Sequence, residues 1–587
     1  MVKIIKRLQK QDWQRISCSI CLIIIMIWFD LRIPEYFSRI TILLETPGSE
    51  FRDILMTGGG MLLSALGNAA AAVSMSYFGA RLSASISSRL RALMYSKVES
   101  FSMEEINRFS TPSLITRTTN DINQVTQVFT QGLQMLIRSP IMAVMALIKI
   151  AGKGFEWTVA TGIAAVIMMC SMGCMMIFVI PKFRIMQTLT DNINRVTREN
   201  LTGLRVVRAY NAEGYEERKF EKANHELTST NLFTSRAMGL MQPIMGMVNS
   251  GLNLTIYWIG AILISAASSG EVKLTLFSDM VVFSSYAMMV IMSFNMIINI
   301  FNMLPRATVS ANRINEVLET EVTIEDGTAE EGIPGLFGEI EFRNVSFKYP
   351  DAADYVLKNV SFTAKRGETV AFIGSTGSGK STLIYLIPRF YDATEGEVLV
   401  DGINVKEYNQ EALLNKIGYV PQTAVIFNGT INSNVAFGSN GKGDYTYENV
   451  IEAVRVAQGT DFVENMNGQY DGATAQGGTN LSGGQKQRVS IARAVCRDPE
   501  IYIFDDSFSA LDYKTDRLLR SELKRQTSGA TSLIVAQRIG TIMDADKIVV
   551  LDEGNVVGIG AHRELLRTCE VYRDIAKSQL SEEELAS

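Results

Sequence analysis

Histidine is almost absent: His225 and His562 are the only two in 587 residues. The paired cysteines Cys18/Cys21 and Cys170/Cys174 therefore have no nearby histidine, and no second ligand pair, with which to complete a metal site. With Cys496 and Cys569 they make six, too scattered for a disulfide framework, and the four in apolar segments are expected as buried thiols. Basic residues do not predominate either. Lys plus Arg number 56 against 61 Asp plus Glu, a net charge of −5, and no extended basic face stands out, which excludes nucleic acid as a partner. The N-terminal stretch MVKIIKRLQKQDWQRI precedes an apolar run but lacks a small-residue cleavage site; Asp30-Leu31-Arg32 follows instead. Residues 3–15 are expected as a basic amphipathic helix on the cytoplasmic surface, leading into a membrane span. Past about residue 318, long apolar runs are missing altogether.

Before that point they dominate. Six spans fit, at roughly 16–42, 53–80, 130–152, 155–181, 237–268 and 276–305. Lys3, Lys6, Arg7, Lys10 and Arg15 place the N-terminus inside, predicting a multi-pass protein of the cell membrane with its N-terminus cytoplasmic. The outer connections are short. The inner ones, 81–129 and 182–236, are long and helically periodic, so two cytoplasmic helical hairpins are expected, with tips at 106–113 and 209–217. Residues 1–317 then form the membrane domain, an acidic stretch with Gly and Pro at 318–337 a linker, and 338–587 a cytoplasmic domain. In that last part strand-like runs (EIEFRNVSF, TVAFIG, IYIFDD, TSLIVAQ, KIVVLD) alternate with helical segments, the pattern of an α/β domain around a largely parallel sheet.

The run Gly374, Ser375, Thr376, Gly377, Ser378, Gly379, Lys380, Ser381 follows the strand TVAFI and opens the helix STLIYLI, whose Thr382 is a further candidate ATP-binding residue. This is a phosphate loop in its proper context: backbone amides cradle phosphates, Lys380 neutralises them, and Ser381 binds magnesium. Asp505, closing the apolar run IYIFD, is the second magnesium anchor. ATP and Mg2+ are the cofactors this predicts.

Leu481-Ser-Gly-Gly-Gln-Lys-Gln-Arg488 is the sharpest motif in the chain. With it the sequence resembles an exporter-type ABC transporter half-molecule over nearly its whole length. The resemblance implies a head-to-tail dimer in which Ser482, Gly483, Gly484 and Gln485 cap ATP held by the partner's phosphate loop. It further implies that Tyr349 stacks on adenine and that Gln422 senses the γ-phosphate and magnesium. Asp512, in Ser509-Ala-Leu-Asp512, would lie on the loop between the two ATP sites, and the hairpin tips would dock into ATPase domains.

Three positions depart from the family pattern. Asp506 stands where a glutamate acts as general base, a retraction of about 1.5 Å for one C–C bond. A misplacement of about 1 Å can cost on the order of 10²-fold in rate. Gln537 replaces a histidine and can neither carry a cation nor relay a proton. Gln476 replaces a glutamate. The groups that bind ATP are intact and those that polarise the attack are weakened. The expectation is one member of a heterodimer, with a degenerate ATP site of its own and a signature that serves a different, competent half-transporter, where most ATP is hydrolysed.

The cargo is less legible. On the sixth span Met288, Met292, Asn295, Asn299 and Asn302 recur at helical spacing and read equally as cavity lining or as packing. Asp30, with Arg32 and Glu35, lies within the first apolar stretch as a candidate gate or cavity group, or as a helix end at the headgroups. An ATP-driven exporter of amphipathic compounds, drugs or lipid-like molecules, fits best. A nucleotide-gated regulatory or channel-like subunit and a homodimeric lipid flippase are the alternatives.

Overall fold

Among the described residues, long apolar runs joined by short polar turns fold here as six helices long and apolar enough to cross a membrane: Lys10–Glu45, Phe51–Glu99, Thr111–Ala151, Phe155–Thr202, Glu213–Ala266 and Gly270–Ile297. The computed structural model describes every residue except Pro47, Leu133, Gly152, Lys153, Asp351 and 582–587, with the backbone alone at a few helical positions that include Asn299 and Asn302. The second and fourth helices, 49 and 48 residues long, reach about 70 Å at 1.5 Å per residue, over twice the hydrocarbon thickness. They continue well outside the membrane, as the long inner connections require.

The chain divides into two compact units. One comprises Met1–Glu99 and Thr111–Thr320; the other comprises Ser100–Ser110 and Glu321–Ser587. The short segment 100–110, from the first hairpin tip, thus belongs with the second unit.

In the membrane unit the N-terminus departs from the expected single helix over 3–15. Val2–Lys6 forms one short helix and a new one starts at Lys10. The break has a local cause. The Gln9 side chain accepts from the third helical backbone N–H while Asp12 accepts from Gln9 N–H at 3.1 Å, a capping box that restarts the helix. Asp12 is also buried and takes a 2.7 Å hydrogen bond from Arg89 of the second helix, so this turn is pinned rather than free on a surface. Cys18, Cys21, Cys170 and Cys174 are exposed on this chain, not buried as expected: they face outward from the bundle. The third helix contains π-helical turns at Arg117–Asp121, Val128–Gly132 and Gln134–Arg138. The first of these aims Arg117 at Glu316 (2.7 Å) and lets Asp121 accept from Ser310 (2.7 Å), tying the third helix to the sixth, which runs on as helix to Glu319.

Among the described residues the second unit has two larger sheets and a two-stranded ribbon that pairs Gly429–Thr430 with Ala473–Thr474. Six strands run in the order Asn555–Gly560, Lys547–Asp552, Thr369–Gly374, Thr531–Val535, Ile501–Asp505, Ile417–Val420, and all neighbours are parallel except the first pair. Strand Ile501–Asp505 is buried at every residue, which explains its unbroken apolar run. A separate antiparallel sheet pairs Leu357–Ala364, Ile340–Phe347 and Glu395–Val400, a layer the strand runs alone did not announce. Phe342, Phe362 and Phe372 pack between the layers, with ring centroids 4.6 and 5.3 Å apart. Each such ring contributes about 1.5–3 kcal/mol on burial. The acidic stretch after residue 318 is not a loose connector. Gly327 and Thr328 N–H donate to the carbonyls of Tyr408 and Glu407 at 3.0 and 2.9 Å, and Asp326 accepts from Gln410 N–H at 2.6 Å.

Candidate functional site

The loop 374–379 leaves the end of a central parallel strand, where a sheet of this kind opens a crevice. A Cβ at Gly374 would collide with the Leu551 carbonyl, and Gly379 sits at φ 97°, so glycine is required at both. The loop closes on its own lysine. Lys380 Nζ donates to the carbonyls of Gly374 (2.9 Å) and Ser375 (2.7 Å). Burial pulls the Lys380 ammonium below its ordinary pKa, against the opposing pull of Asp506 and Asp505.

Two strands away Asp505 closes Ile501–Asp505, in register with Val535. Ser381 Oγ donates to Asp505 Oδ1 at 2.9 Å and the Tyr385 hydroxyl to Oδ2 at 3.3 Å. Asp505 is fully buried, and that burial raises its pKa in spite of the two donors; the neighbouring Asp506 adds to the rise. Hydroxyl and carboxylate oxygens facing each other, with Lys380 as a nearby cation, are a hard-oxygen pair of the kind that holds magnesium. Tyr385 gave no signal in the sequence because its partner is 120 residues away.

Asp506 adopts φ 45°, a left-handed conformation that short polar residues tolerate best. Its N–H donates to Val535 O at 3.0 Å, and Gln537 Nε2 donates to its Oδ2 at 2.8 Å. Burial raises the Asp506 pKa; the amide of Gln422, whose side chain is otherwise exposed, and the charges of Lys380 and Arg538 oppose it. Behind Gln537 stands a residue the sequence did not reveal. Gln579, on the C-terminal helix Glu570–Gln579, donates to Gln537 O and accepts from Ile539 N–H, both at 2.8 Å. An amide 42 residues downstream carries no local pattern that would betray it.

Tyr349 is half-buried beside the loop. Its hydroxyl shares a 3.0 Å hydrogen bond with Thr382 Oγ1, and its ring meets Phe347 and Tyr391 edge-on. Ser375, Thr376, Gly377 and Ser378 complete the loop.

The motif at 481–488 forms a separate feature of the same unit. Ser482 caps the helix Gly483–Cys496: its Oγ accepts from Gln485 N–H (3.3 Å) while Gln485 Oε1 accepts from Ser482 N–H (2.8 Å). A Cβ at Gly483 would meet nothing, so its backbone lies open. A Cβ at Gly484 would come 3.5 Å from Ala510 O, placing this helix start next to the loop that ends at Asp512. Asp512 caps the helix Tyr513–Gln526, accepting from Thr515 N–H at 3.0 Å, and that bond lowers its pKa. Among the described residues no hydrogen bond joins Ser482–Gln485 to the loop 374–381. Gln476 lies in the 3₁₀ turn Gln476–Gly478.

In the membrane unit, Asp30 accepts from Asn68 Nδ2 (2.5 Å) and Arg138 (2.8 Å), which ties together the first three helices. Lys149 pairs with Glu35 at 2.6 Å, and the Arg32 guanidinium lies over the Trp28 ring, 4.1 Å from its centroid. Met288 and Met292 are exposed on this chain and Asn295 is half-exposed, whereas the side chains of Asn299 and Asn302 lie outside the described residues.

Comparison with known proteins joins these features. Residues 16–294 match the ABC transporter transmembrane region, and residues 357–509 match the ABC transporter family. An uncharacterised ABC transporter ATP-binding protein of Mycobacterium bovis is 39% identical over 512 residues, covering 86% of each chain. An ATP-dependent lipid A-core flippase of Syntrophus aciditrophicus is 32% identical, covering 88% of this chain and 83% of its own. Among solved structures, a bacterial Atm1-family ABC exporter with ATP bound shares the fold at a TM-score of 0.78 and 23% identity, over 97% of this chain and 99% of that one.

Proposed function

Because the chain belongs to the ABC transporter family, an exporter-type half-molecule with six spans and a cytoplasmic ATP-binding domain, we propose that it is the degenerate-site subunit of a heterodimeric exporter. The observation that carries the proposal is the hydrogen bond from Gln537 to Asp506. The two positions that would polarise an attacking water are a shortened carboxylate and an uncharged amide, and each is already engaged with the other.

The rest of the pocket supports binding. ATP with magnesium would supply the reactive phosphoanhydride and the charge that Ser381 and Asp505 are arranged to meet. Lys380 would turn from the carbonyls of Gly374 and Ser375 toward the phosphates, while Gly374–Gly379 offers backbone amides and Tyr349 a ring face for the base. Asp506 could take a proton from water. Gln537 could steady Asp506 by donating to it but could not stabilise developing negative charge with a cation. The open backbone at Gly483 and the Ser482 hydroxyl would instead serve a nucleotide held by a different half-transporter.

For the cargo, the flippase relative supports a lipid-like molecule. A groove of about 600 Å³ between the fourth and fifth helices, apolar apart from Glu156 and Thr255, has the size and chemistry to take acyl chains. The test is purification from native membranes through a tag on this chain. The expected result is a one-to-one complex with a second, different half-transporter, which then moves a fluorescent phospholipid across vesicle bilayers when ATP is added. A homodimer that hydrolyses ATP rapidly by itself would overturn the proposal.

A further inference from the structure

The short helix Lys380–Tyr385 opens directly behind the phosphate loop, and Ser381 and Tyr385 stand four residues apart on it, one turn along the same face. That face meets the end of strand Ile501–Asp505. Ser381 Oγ donates to Asp505 Oδ1 at 2.9 Å and the Tyr385 hydroxyl donates to Oδ2 at 3.3 Å. The two oxygens of one carboxylate are thus taken by two residues of a single helical turn. Neither partner is free to drift. Asp505 is 1% exposed and closes a strand that has a parallel neighbour on each side. The half-buried Tyr385 ring lies tilted against Phe390, centroids 6.1 Å apart, and Phe390 in turn meets Tyr419 edge-on at 5.5 Å.

We infer that Tyr385 is a specificity-determining residue that favours magnesium over calcium as the cation accepted with nucleotide, by reserving Asp505 Oδ2. The inference rests on the reading of Ser381 and Asp505 as the magnesium pair. A phenol at neutral pH has one hydrogen to donate, and here that hydrogen goes to Oδ2. Asp505 then presents a single oxygen, Oδ1, on the side where Ser381 stands. Magnesium is small, demands an octahedral shell and keeps several of its waters, so one carboxylate oxygen is enough for it. Calcium takes roughly six to eight oxygens and gains from a carboxylate that offers both. Turning Asp505 to offer both would part the Tyr385 hydroxyl from its acceptor in a half-buried place, a cost that falls on calcium alone. Removing the phenol oxygen while keeping the ring should therefore admit calcium without emptying the space that Tyr385 fills.

The test is photolabelling of this chain with 8-azido-ATP, on the purified complex in lipid nanodiscs held on ice. Magnesium alone and calcium alone are titrated, and labelling of this chain is read on a gel, apart from any partner. The readout is the half-saturating concentration of each metal, which does not depend on hydrolysis. In the wild type calcium should be needed at about ten times the magnesium concentration or more. Tyr385→Phe should shrink that ratio by about threefold or more, chiefly by lowering the calcium requirement. A merely structural contact would weaken both titrations alike and leave the ratio where it was. An unchanged ratio in Tyr385→Phe overturns the inference. So does a wild type that accepts calcium as readily as magnesium, a result that needs no variant. Wild-type labelling that persists in EDTA and responds to neither metal instead overturns the magnesium reading beneath, and is seen separately from the ratio.

Discussion

Gln537 Nε2 donates to Asp506 Oδ2 across loops that follow adjacent parallel strands, at 2.8 Å and 31 residues apart in sequence. Two substitutions that look independent in the sequence are thus one structural unit, and their effects should not add. Asp506→Glu alone should leave most of the deficit at this site, because general-base catalysis contributes about 10²–10⁴-fold only with the right geometry and proton path. Asp506→Glu with Gln537→His should raise turnover more than both single changes combined. The measurement is ATPase activity with the partner's catalytic carboxylate neutralised; rapid hydrolysis by wild type in that background would show that this pocket is competent.

The phosphate loop and the motif at 481–488 should separate by mutation. Lys380→Ala should lower the ATPase activity of the complex less than Ser482→Ala with Gly483→Asp does, since the second pair serves the competent site. The Asp side chain at Gly483 enters open space, so the fold tolerates it. An equal or larger loss from Lys380→Ala speaks against the assignment.

Burial raises the pKa of Asp505, and this has two consequences of defined sign. The folded, nucleotide-free protein holds the Asp505 proton more tightly than the unfolded chain does. Its stability is therefore highest below the ordinary carboxylate pKa and declines as pH rises through the raised value. Magnesium needs the ionised form, so affinity for magnesium–nucleotide falls as pH drops through that same raised value, earlier than for an ordinary Asp. Asp505→Asn should flatten the pH dependence of the nucleotide-free melting temperature in this window. Parallel melting curves for both proteins would rule out Asp505 as the source.

Asp30 and Arg138 form a half-shielded ion pair within the spans. Asp30→Ala should destabilise the membrane unit by ~2–4 kcal/mol, because Arg138 is left charged among apolar helices. Asp30→Ala with Arg138→Leu should recover most of the loss. Thermal unfolding in detergent micelles or nanodiscs checks both, and a double variant as unstable as the single one would mean that the pair is not what holds these helices.

What the sequence disclosed were the features with local periodicity or tight spacing. Helix-length apolar runs announced six spans, and Gly374–Ser381, Asp505 and Leu481–Arg488 are contiguous patterns whose chemistry dictates their order. Contacts made by single side chains over long separations left no such trace. Asn107 finds Tyr391 284 residues later, and Arg138 finds Asp30 108 residues earlier. The second sheet is not legible for a related reason: Leu357–Ala364 mixes buried and exposed residues and looks like any amphipathic strand until its partners are known. The break in the N-terminal helix is hidden because a capping box at Gln9 and Asp12 outweighs uninterrupted helical spacing.

Segment 100–110 also sets an order of events during synthesis. Phe101 and Phe109, stacked at 5.8 Å and buried in the finished protein, leave the ribosome more than 200 residues before Thr323, Tyr391 and the rest of their own unit exist. At about 5–20 residues per second that is a wait on the order of ten seconds or more. Throughout it, a hairpin already held by inserted membrane helices presents this aromatic pair before the rest of its unit has been made. The second unit then cannot finish by folding on itself; its last step is to capture a segment made long before. Nascent chains stopped at residue 320 should be cut by trypsin at Arg108 far faster than full-length chains, and a late defect in the nucleotide-binding half should register as a fault of the membrane half.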